Sequence, residues 1–248
     1  MVYKPFNSGV HAWLSPFQQW ILPPTCLGCG SRGNHRLKDI TLDLCKACYQ
    51  QLPFNHCACI GCGLPLPEST PVLRCGPCLQ HPPSYHSSFC AFTYHYPVAE
   101  LIRRFKYGQH LACARLFGEL LAQYLQQHHA APWPECFIPV PLHHHRYHTR
   151  GYNQVIELGV FLHKRLNIPL RLDILTRLKN TPEQAGLSRD ERLKNLRNAF
   201  GTRAVSIPTH VAILDDVITT GSTVTEVATT LRKAGVKHIE VWSVARAT

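Results

Sequence analysis

Val211-Ala-Ile-Leu-Asp-Asp-Val-Ile-Thr-Thr-Gly-Ser-Thr223 is an apolar run that enters two carboxylates and then a small, hydroxyl-rich turn. Each part has a physical task. Val211 to Leu214 reads as a strand buried inside a parallel sheet. Asp215 and Asp216 then emerge at the strand's carboxyl end, where open α/β sheets bind ligands. Thr219, Thr220, Gly221, Ser222 and Thr223 offer hydroxyls and backbone N–H groups at the start of a helix, a site for phosphate. Carboxylates for hydroxyls beside a cradle for phosphate suit a sugar phosphate. Downstream, Val224, Val227, Ala228 and Leu231 recur on one helical face, and Gly235 stands where a C′ glycine ends a helix. His238 to Ala245 reads as the next strand.

The whole string resembles the PRPP-binding motif of type I phosphoribosyltransferases. The resemblance implies that Asp215 and Asp216, the candidate catalytic pair, hold the ribose hydroxyls. It also implies that residues 219–223 take the 5′-phosphate.

At 248 residues, one domain with a small added module is expected. The expected division is an amphipathic segment at 1–22, a cysteine module at 23–82 and an α/β domain at 83–248. No apolar run approaches the roughly 20 residues of a bilayer span, so stable membrane insertion is not expected. Trp13, Leu14, Phe17, Trp20, Ile21 and Leu22 make a poor signal peptide, because no charged start or small-residue cleavage site accompanies them. They read as an amphipathic helix capping the rest, with a membrane-surface role as the alternative.

The formal charge is +11. Residues 1–90 carry 6 basic and 3 acidic side chains, against 20 and 12 in residues 91–248. Eight thiolates on two Zn²⁺ would make the first part slightly negative. The basic character therefore belongs to the second part, and phosphorylated small molecules or nucleic acid fit it.

Four Cys-x₂-Cys pairs fill the first part: Cys26 and Cys29, Cys45 and Cys48, Cys59 and Cys62, Cys75 and Cys78. Two thiolates so spaced sit on a tight knuckle and occupy two corners of a tetrahedron, a structural-zinc pattern. Four ligands per ion leave no open position for catalysis. A disulfide framework would need an oxidising compartment, which nothing here indicates. Sequential ribbons are the simpler pairing, and a cross-brace is the alternative. Cys57 could replace a neighbour or stay free. Cys90, Cys113 and Cys136 lie in apolar surroundings and read as core.

Between these parts, Phe89 to Tyr96 reads as a strand and Val98 to Phe105 as a helix, followed by the basic Arg103-Arg104-Phe105-Lys106-Tyr107-Gly108. Leu116, Phe117, Leu120, Leu121 and Tyr124 mark another helix. A strand at Cys136–Pro141 leads into a polar loop that carries His143, His144, His145, Arg146, His148 and Arg150, and then a helix. This makes a second candidate anion site. Arg146 and Arg150 suit a pyrophosphate. The histidines lack the spacing of a metal site and read as loop residues. Gln184 to Asn195 is a polar loop and helix, either a hood or a connector.

Together these residues resemble the ComF family, in its GntX-like form. The resemblance rests on the Cys-x₂-Cys pairs, Phe105-Lys-Tyr-Gly108, Pro139-Val-Pro-Leu142, Arg150-Gly-Tyr-Asn-Gln154, residues 184–195 and Asp215 to Thr223. It implies a double zinc ribbon joined to a type I phosphoribosyltransferase-like parallel sheet flanked by helices. It implies a cytoplasmic role in DNA uptake or in using DNA as a nutrient. The implied partners are PRPP, single-stranded DNA and helicase or DNA-processing proteins. Arg150 would face pyrophosphate, and Mg²⁺ would arrive with PRPP. Whether phosphoribosyl transfer occurs, and to which acceptor, stays open.

Overall fold

The computed structural model of the chain describes residues 24–37, 40–67, 73–108, 110–142, 151–179, 195–203 and 205–248. The expected amphipathic segment, the loop histidines, Arg146, Arg150 and residues 184–194 lie outside these. Among the described residues, no helix is long and apolar enough to cross a membrane.

The N-terminal part is built from short pieces. Strands β1 (His35–Leu37) and β2 (Ile40–Leu42) pair antiparallel. Helices α1 (Lys46–Gln50) and α2 (Gly76–Gln80) each begin immediately after a cysteine. The larger part holds β3 (Ser87–Thr93), α3 (Val98–Tyr107), α4 (Ala112–His128), β4 (Cys136–Pro139) and α5 (Gln154–Leu166). Then come β5 (Leu175–Arg177), β6 (Phe200–Thr202), β7 (His210–Ile218), α6 (Ser222–Lys233) and β8 (His238–Arg246).

The main sheet runs β3-β8-β7-β4 and is parallel throughout. Val211, Ala212, Ile213 and Leu214 have no exposed surface, as the sequence predicts for a strand covered on both faces. The two-residue period splits them. Ala212 and Leu214 enter one core with the apolar faces of α3, α4 and α5. Val211 and Ile213 enter a second core with Val224, Val227 and Leu231 of α6. This is the expected α/β class, a parallel sheet flanked by helices, with the cysteine module added at the N-terminus.

One boundary differs. β7 continues past Leu214 to Ile218, so Asp215 and Asp216 lie within the strand instead of beyond it. The cause is asymmetric support. β8 pairs with β7 as far as Ile218 opposite Arg246, whereas β4 stops at Pro139 opposite Leu214. The last bond on that side is Val140 N–H to Leu214 O at 2.9 Å; beyond it Val140 O accepts from Asn153 Nδ2 at 3.3 Å and Asp216 N–H turns to Asp215 Oδ1 at 2.8 Å, so the ladder stops. The acids therefore stand where β7 has lost one neighbour.

The cysteine module closes the free edge of β3. Asn55 N–H donates to Ala91 O at 2.9 Å, Thr93 N–H to Pro53 O at 2.9 Å and Ser88 N–H to Ile60 O at 2.8 Å. An open strand edge is thereby covered. Gly63 shows how close the fit is. Its φ is +72°, and an added Cβ would lie 2.4 Å from the Cys90 sulfur. Gly63→Ala should therefore cost about 3 kcal/mol, from left-handed backbone strain and overpacking together. Urea denaturation should show this as a lowered midpoint, and an unchanged midpoint would mean that the module is not seated tightly on β3.

Candidate functional site

The carboxyl ends of β7 and β8 carry the first cluster. Asp216 is buried. Lys106 Nζ, from the end of α3, lies 3.1 Å from its Oδ1. Gln154 Nε2, on the first residue of α5, donates to its Oδ2 at 2.9 Å. Asn153 caps that helix, its Oδ1 accepting from Val155 N–H at 3.0 Å, and so fixes where Gln154 projects. The Tyr152 hydroxyl donates to Phe105 O and ties this turn to the end of α3. Two segments distant in sequence thus converge on one carboxylate. Lys106 read from sequence as part of a basic helix end. Both it and Gln154 nevertheless lie in stretches that carry the family resemblance, and that was the available signal.

Asp215 is half-buried, and its Oδ1 accepts the Asp216 N–H at 2.8 Å. Enclosure in the protein, together with the neighbouring Asp216 charge, raises it to about 7. The strand end therefore holds more negative potential than its own groups neutralise.

Beyond Ile218 the chain turns sharply. Gly221 has φ +79° and stands immediately before α6, a conformation that other residues adopt at a cost. The Thr220 and Ser222 hydroxyls lie 2.9 Å apart. Thr219, Thr220, Gly221, Ser222 and Thr223 thus form a turn at the amino end of a 12-residue helix, as the sequence predicts.

Sequence reading missed the support beneath this turn. Arg246, the last residue of β8, is buried. Its guanidinium donates to Ile218 O at 3.1 Å, to Cys62 O at 2.9 Å and to the carbonyls of Thr219 and Ala247. One side chain thus joins the phosphate-type turn to a cysteine knuckle and leaves a positive charge beneath the turn.

The eight cysteines form two groups, Cys26, Cys29, Cys45 and Cys48, and Cys59, Cys62, Cys75 and Cys78. The pairing is sequential, not a cross-brace. Sulfur separations of 3.8 Å (Cys29 to Cys45) and 3.6 Å (Cys62 to Cys75) match the roughly 3.8 Å edge of a tetrahedron with Zn–S bonds of about 2.3 Å. Cys45 N–H points at the Cys26 sulfur and Cys75 N–H at the Cys59 sulfur, each at 3.2 Å. Such donors favour thiolate. The Ser31 hydroxyl, 3.0 Å from the Cys29 sulfur, helps push that thiol down to about 6. Both donor sets fit structural zinc. Cys57 belongs to neither group. Cys90, Cys113 and Cys136 are buried, and desolvation raises all three thiols.

Comparison with known proteins agrees with this architecture. The double zinc ribbon domain family matches residues 17–79. Competence protein F of Haemophilus influenzae is 40% identical over 231 residues, covering 90% of this chain and 96% of that protein. The chain belongs to the ComF family. Another family member, the DNA utilization protein YhgH of Escherichia coli K12, is 33% identical and covers 82% of this chain and 90% of its own. Solved structures overlap only in part. The allosteric regulatory enzyme of purine biosynthesis covers 56% of this chain and 29% of its own, at 18% identity and a TM-score of 0.38. The purine phosphoribosyltransferase of Pyrococcus horikoshii covers 54% and 73%, at 19% and a TM-score of 0.32. Overlap of that extent carries no argument about this ComF protein's site.

Two outcomes follow from the site's electrostatics. Asp215 titrates near 7 when folded, against an ordinary value of 3.8. Between these values the folded chain holds the extra proton, so this residue's contribution to stability is lost as pH rises through 7. Asp215→Asn should stabilise the ligand-free protein by roughly 1–2 kcal/mol at pH 8, with no gain below about pH 4. Urea melts across that range read the difference, and a pH-independent effect would contradict the enclosure argument. Arg246→Met should destabilise by about 3 kcal/mol through loss of charged donors to buried carbonyls. Amide exchange should quicken at both Thr219–Gly221 and the Cys59–Cys62 knuckle, and protection unchanged at either would contradict the bridge.

Proposed function

We propose that this ComF-family protein binds PRPP with Mg²⁺ at the carboxyl end of its sheet and acts in the uptake of DNA or its use as a nutrient. The observation that carries the reading is the order of groups along β7 and the following turn. A carboxylate pair, for ribose hydroxyls, precedes a glycine turn at a helix N-terminus, for the 5′-phosphate. Asp215 and Asp216 would take the hydroxyls, and Thr219 to Thr223 the phosphate. Arg150 would reach the pyrophosphate. Mg²⁺ would be held chiefly by ligand oxygens and would neutralise the acidic strand end. The names of the relatives, competence protein F and DNA utilization protein, support the DNA-linked role. Twelve free cysteines, eight of them in two zinc-type groups, suit the reducing cytoplasm.

In a transfer reaction the bond from the anomeric carbon to pyrophosphate breaks. A carbon–nitrogen bond forms, and the acceptor nitrogen loses its proton. The protein's part is to position the reactants and stabilise developing charge.

A second reading keeps the DNA role without transfer. It draws on the basic excess of residues 91–248, on Arg103 and Arg104, and on exposed Tyr107. A nucleic-acid-binding adaptor would contact single-stranded DNA and helicase or processing proteins through that surface. Its affinity would fall steeply with salt.

Calorimetry on the zinc-loaded chain separates the readings. Micromolar binding of PRPP that requires Mg²⁺, weakened roughly fiftyfold or more in Asp215→Asn/Asp216→Asn, is expected if the carboxylates accept the ribose hydroxyls. No binding by the folded wild type would sink the PRPP reading. Salt-dependent binding of single-stranded DNA alone would leave the adaptor.

A further inference from the structure

The amino end of the sheet carries a second polar centre that PRPP binding does not use. The register of β7 and β8 sets His210 directly opposite His238. Glu240 lies two residues beyond His238, so alternation puts both on one face of β8. His210 Nε2 lies 2.9 Å from Glu240 Oε1, and His238 Nε2 lies 3.9 Å from the same oxygen. One donor atom from each residue falls within 4.8 Å of the others. A tetrahedral ion with bonds of about 2.0–2.1 Å wants its ligand atoms about 3.3 Å apart. The two observed spacings straddle that value.

The carboxylate is held for this task. Its Oε2 accepts from His129 Nε2 at 2.8 Å and from Trp242 Nε1 at 3.0 Å. The Glu240 side chain is only 4% exposed, so its orientation is fixed by those donors and by packing. Oε1 is left to the two imidazoles. Ligating carboxylates in metal sites have this kind of outer support. His238 is braced as well. The His86 ring stacks on it at 4.0 Å with 16° between planes, while His86 Nδ1 accepts the Ile239 N–H at 3.0 Å.

A network built only for stability accounts for His129, His210 and Trp242, each within hydrogen-bond distance of the carboxylate. It does not account for His238, whose nitrogen is too far from Oε1 for a hydrogen bond yet is turned towards it. A cavity of about 500 Å³ opens beside these three groups, with Phe89, His128 and Ile60 also in its walls. A further coordination position therefore has room for water or a small anion.

We propose that His210, His238 and Glu240 form a third metal site, for a divalent first-row transition ion of the zinc or cobalt kind, with water facing the cavity. Two neutral imidazoles and one carboxylate oxygen are a borderline donor set. It favours such ions over Mg²⁺ or Ca²⁺, which prefer oxygen ligands. The bound ion would take the space between His210 Nε2 and Glu240 Oε1, with both imidazoles neutral and their other ring nitrogens carrying the hydrogen. With one carboxylate, two neutral imidazoles and a divalent ion, the loaded centre would carry one net positive charge, and its open position would take water, hydroxide or an anion.

The test uses the full chain with zinc in both ribbons, titrated with Co²⁺ and read by visible absorption. The expected spectrum has weak d–d bands and no thiolate charge transfer, saturating at one Co²⁺ per chain. His238→Gln changes a half-exposed side chain, so its fold is expected to persist, as unchanged ribbon zinc and an unchanged thermal melt would show. It should weaken Co²⁺ binding roughly hundredfold, and His210→Gln likewise. His129→Gln keeps all three ligands and should weaken binding by about tenfold. No cobalt bands in the wild type would overturn the site. So would thiolate charge transfer, or equal affinity in folded His238→Gln.

Discussion

The parallel pairing of β7 with β8 is the constraint from which the rest of this molecule follows. Both strands are covered by apolar layers on both faces, so their central residues are apolar but for Ser243, whose hydroxyl donates to Asp216 O at 3.1 Å. Ionisable side chains gather towards the two ends of the strands. At the carboxyl end that leaves Asp215, Asp216 and Arg246, and at the amino end His210, His238 and Glu240. The early stop of β4 sharpens the effect, because it frees one side of β7 at the acids. Lys106 and Gln154 then arrive from two helices to meet Asp216, a buried carboxylate that would otherwise lack compensation.

Arg246 extends this logic to the zinc ribbons. A buried guanidinium must spend its donors on acceptors, and here the acceptors are carbonyls of two different units. The knuckle at Cys62 and the turn at Thr219 therefore share one cation. Zinc in the second ribbon would hold the knuckle, the knuckle helps hold Arg246, and Arg246 holds the turn. The ribbons also cover the free edge of β3, so the module completes the sheet as well as bracing its loop. This gives a physical reason for a structural metal module in a chain whose proposed ligand site lies elsewhere.

The sequence made local chemistry legible and long-range convergence illegible. The run from Val211 to Thr223 named its own parts, because a buried strand, a strand-end acid pair and a helix-start turn each have local signatures. Cys-x₂-Cys spacing announced tetrahedral sites, yet left the pairing open, because spacing alone does not say which knuckles meet. Asp215 and Asp216 were placed at the end of their strand, although β8 carries the ladder on to Ile218. That extension depends on a strand more than twenty residues downstream. Arg246 carries no local signature of its own, and His238 to Trp242 reads as an ordinary strand. Their roles exist only once the sheet order brings Cys62, Ile218, His129 and His210 alongside, and no local pattern encodes that order.

The two acids are adjacent but do different work, and the pleat explains why. Successive side chains leave a strand on opposite sides, so Asp216 turns inward to Lys106 and Gln154 while Asp215 stays partly open. The inner carboxylate is already compensated. The outer one is raised towards neutrality by enclosure and by its neighbour's charge. A few residues on, the sign reverses, with the amino end of α6 and the Arg246 guanidinium beneath the turn. Negative potential followed by positive potential over so short a path suits a ligand that presents a cation or hydroxyls at one end and a phosphate at the other. A simple anion would be repelled by the acids, and a bare cation would gain nothing from the turn. The polarity of the site, more than any single residue in it, is what supports the proposal of a metal-bound sugar phosphate.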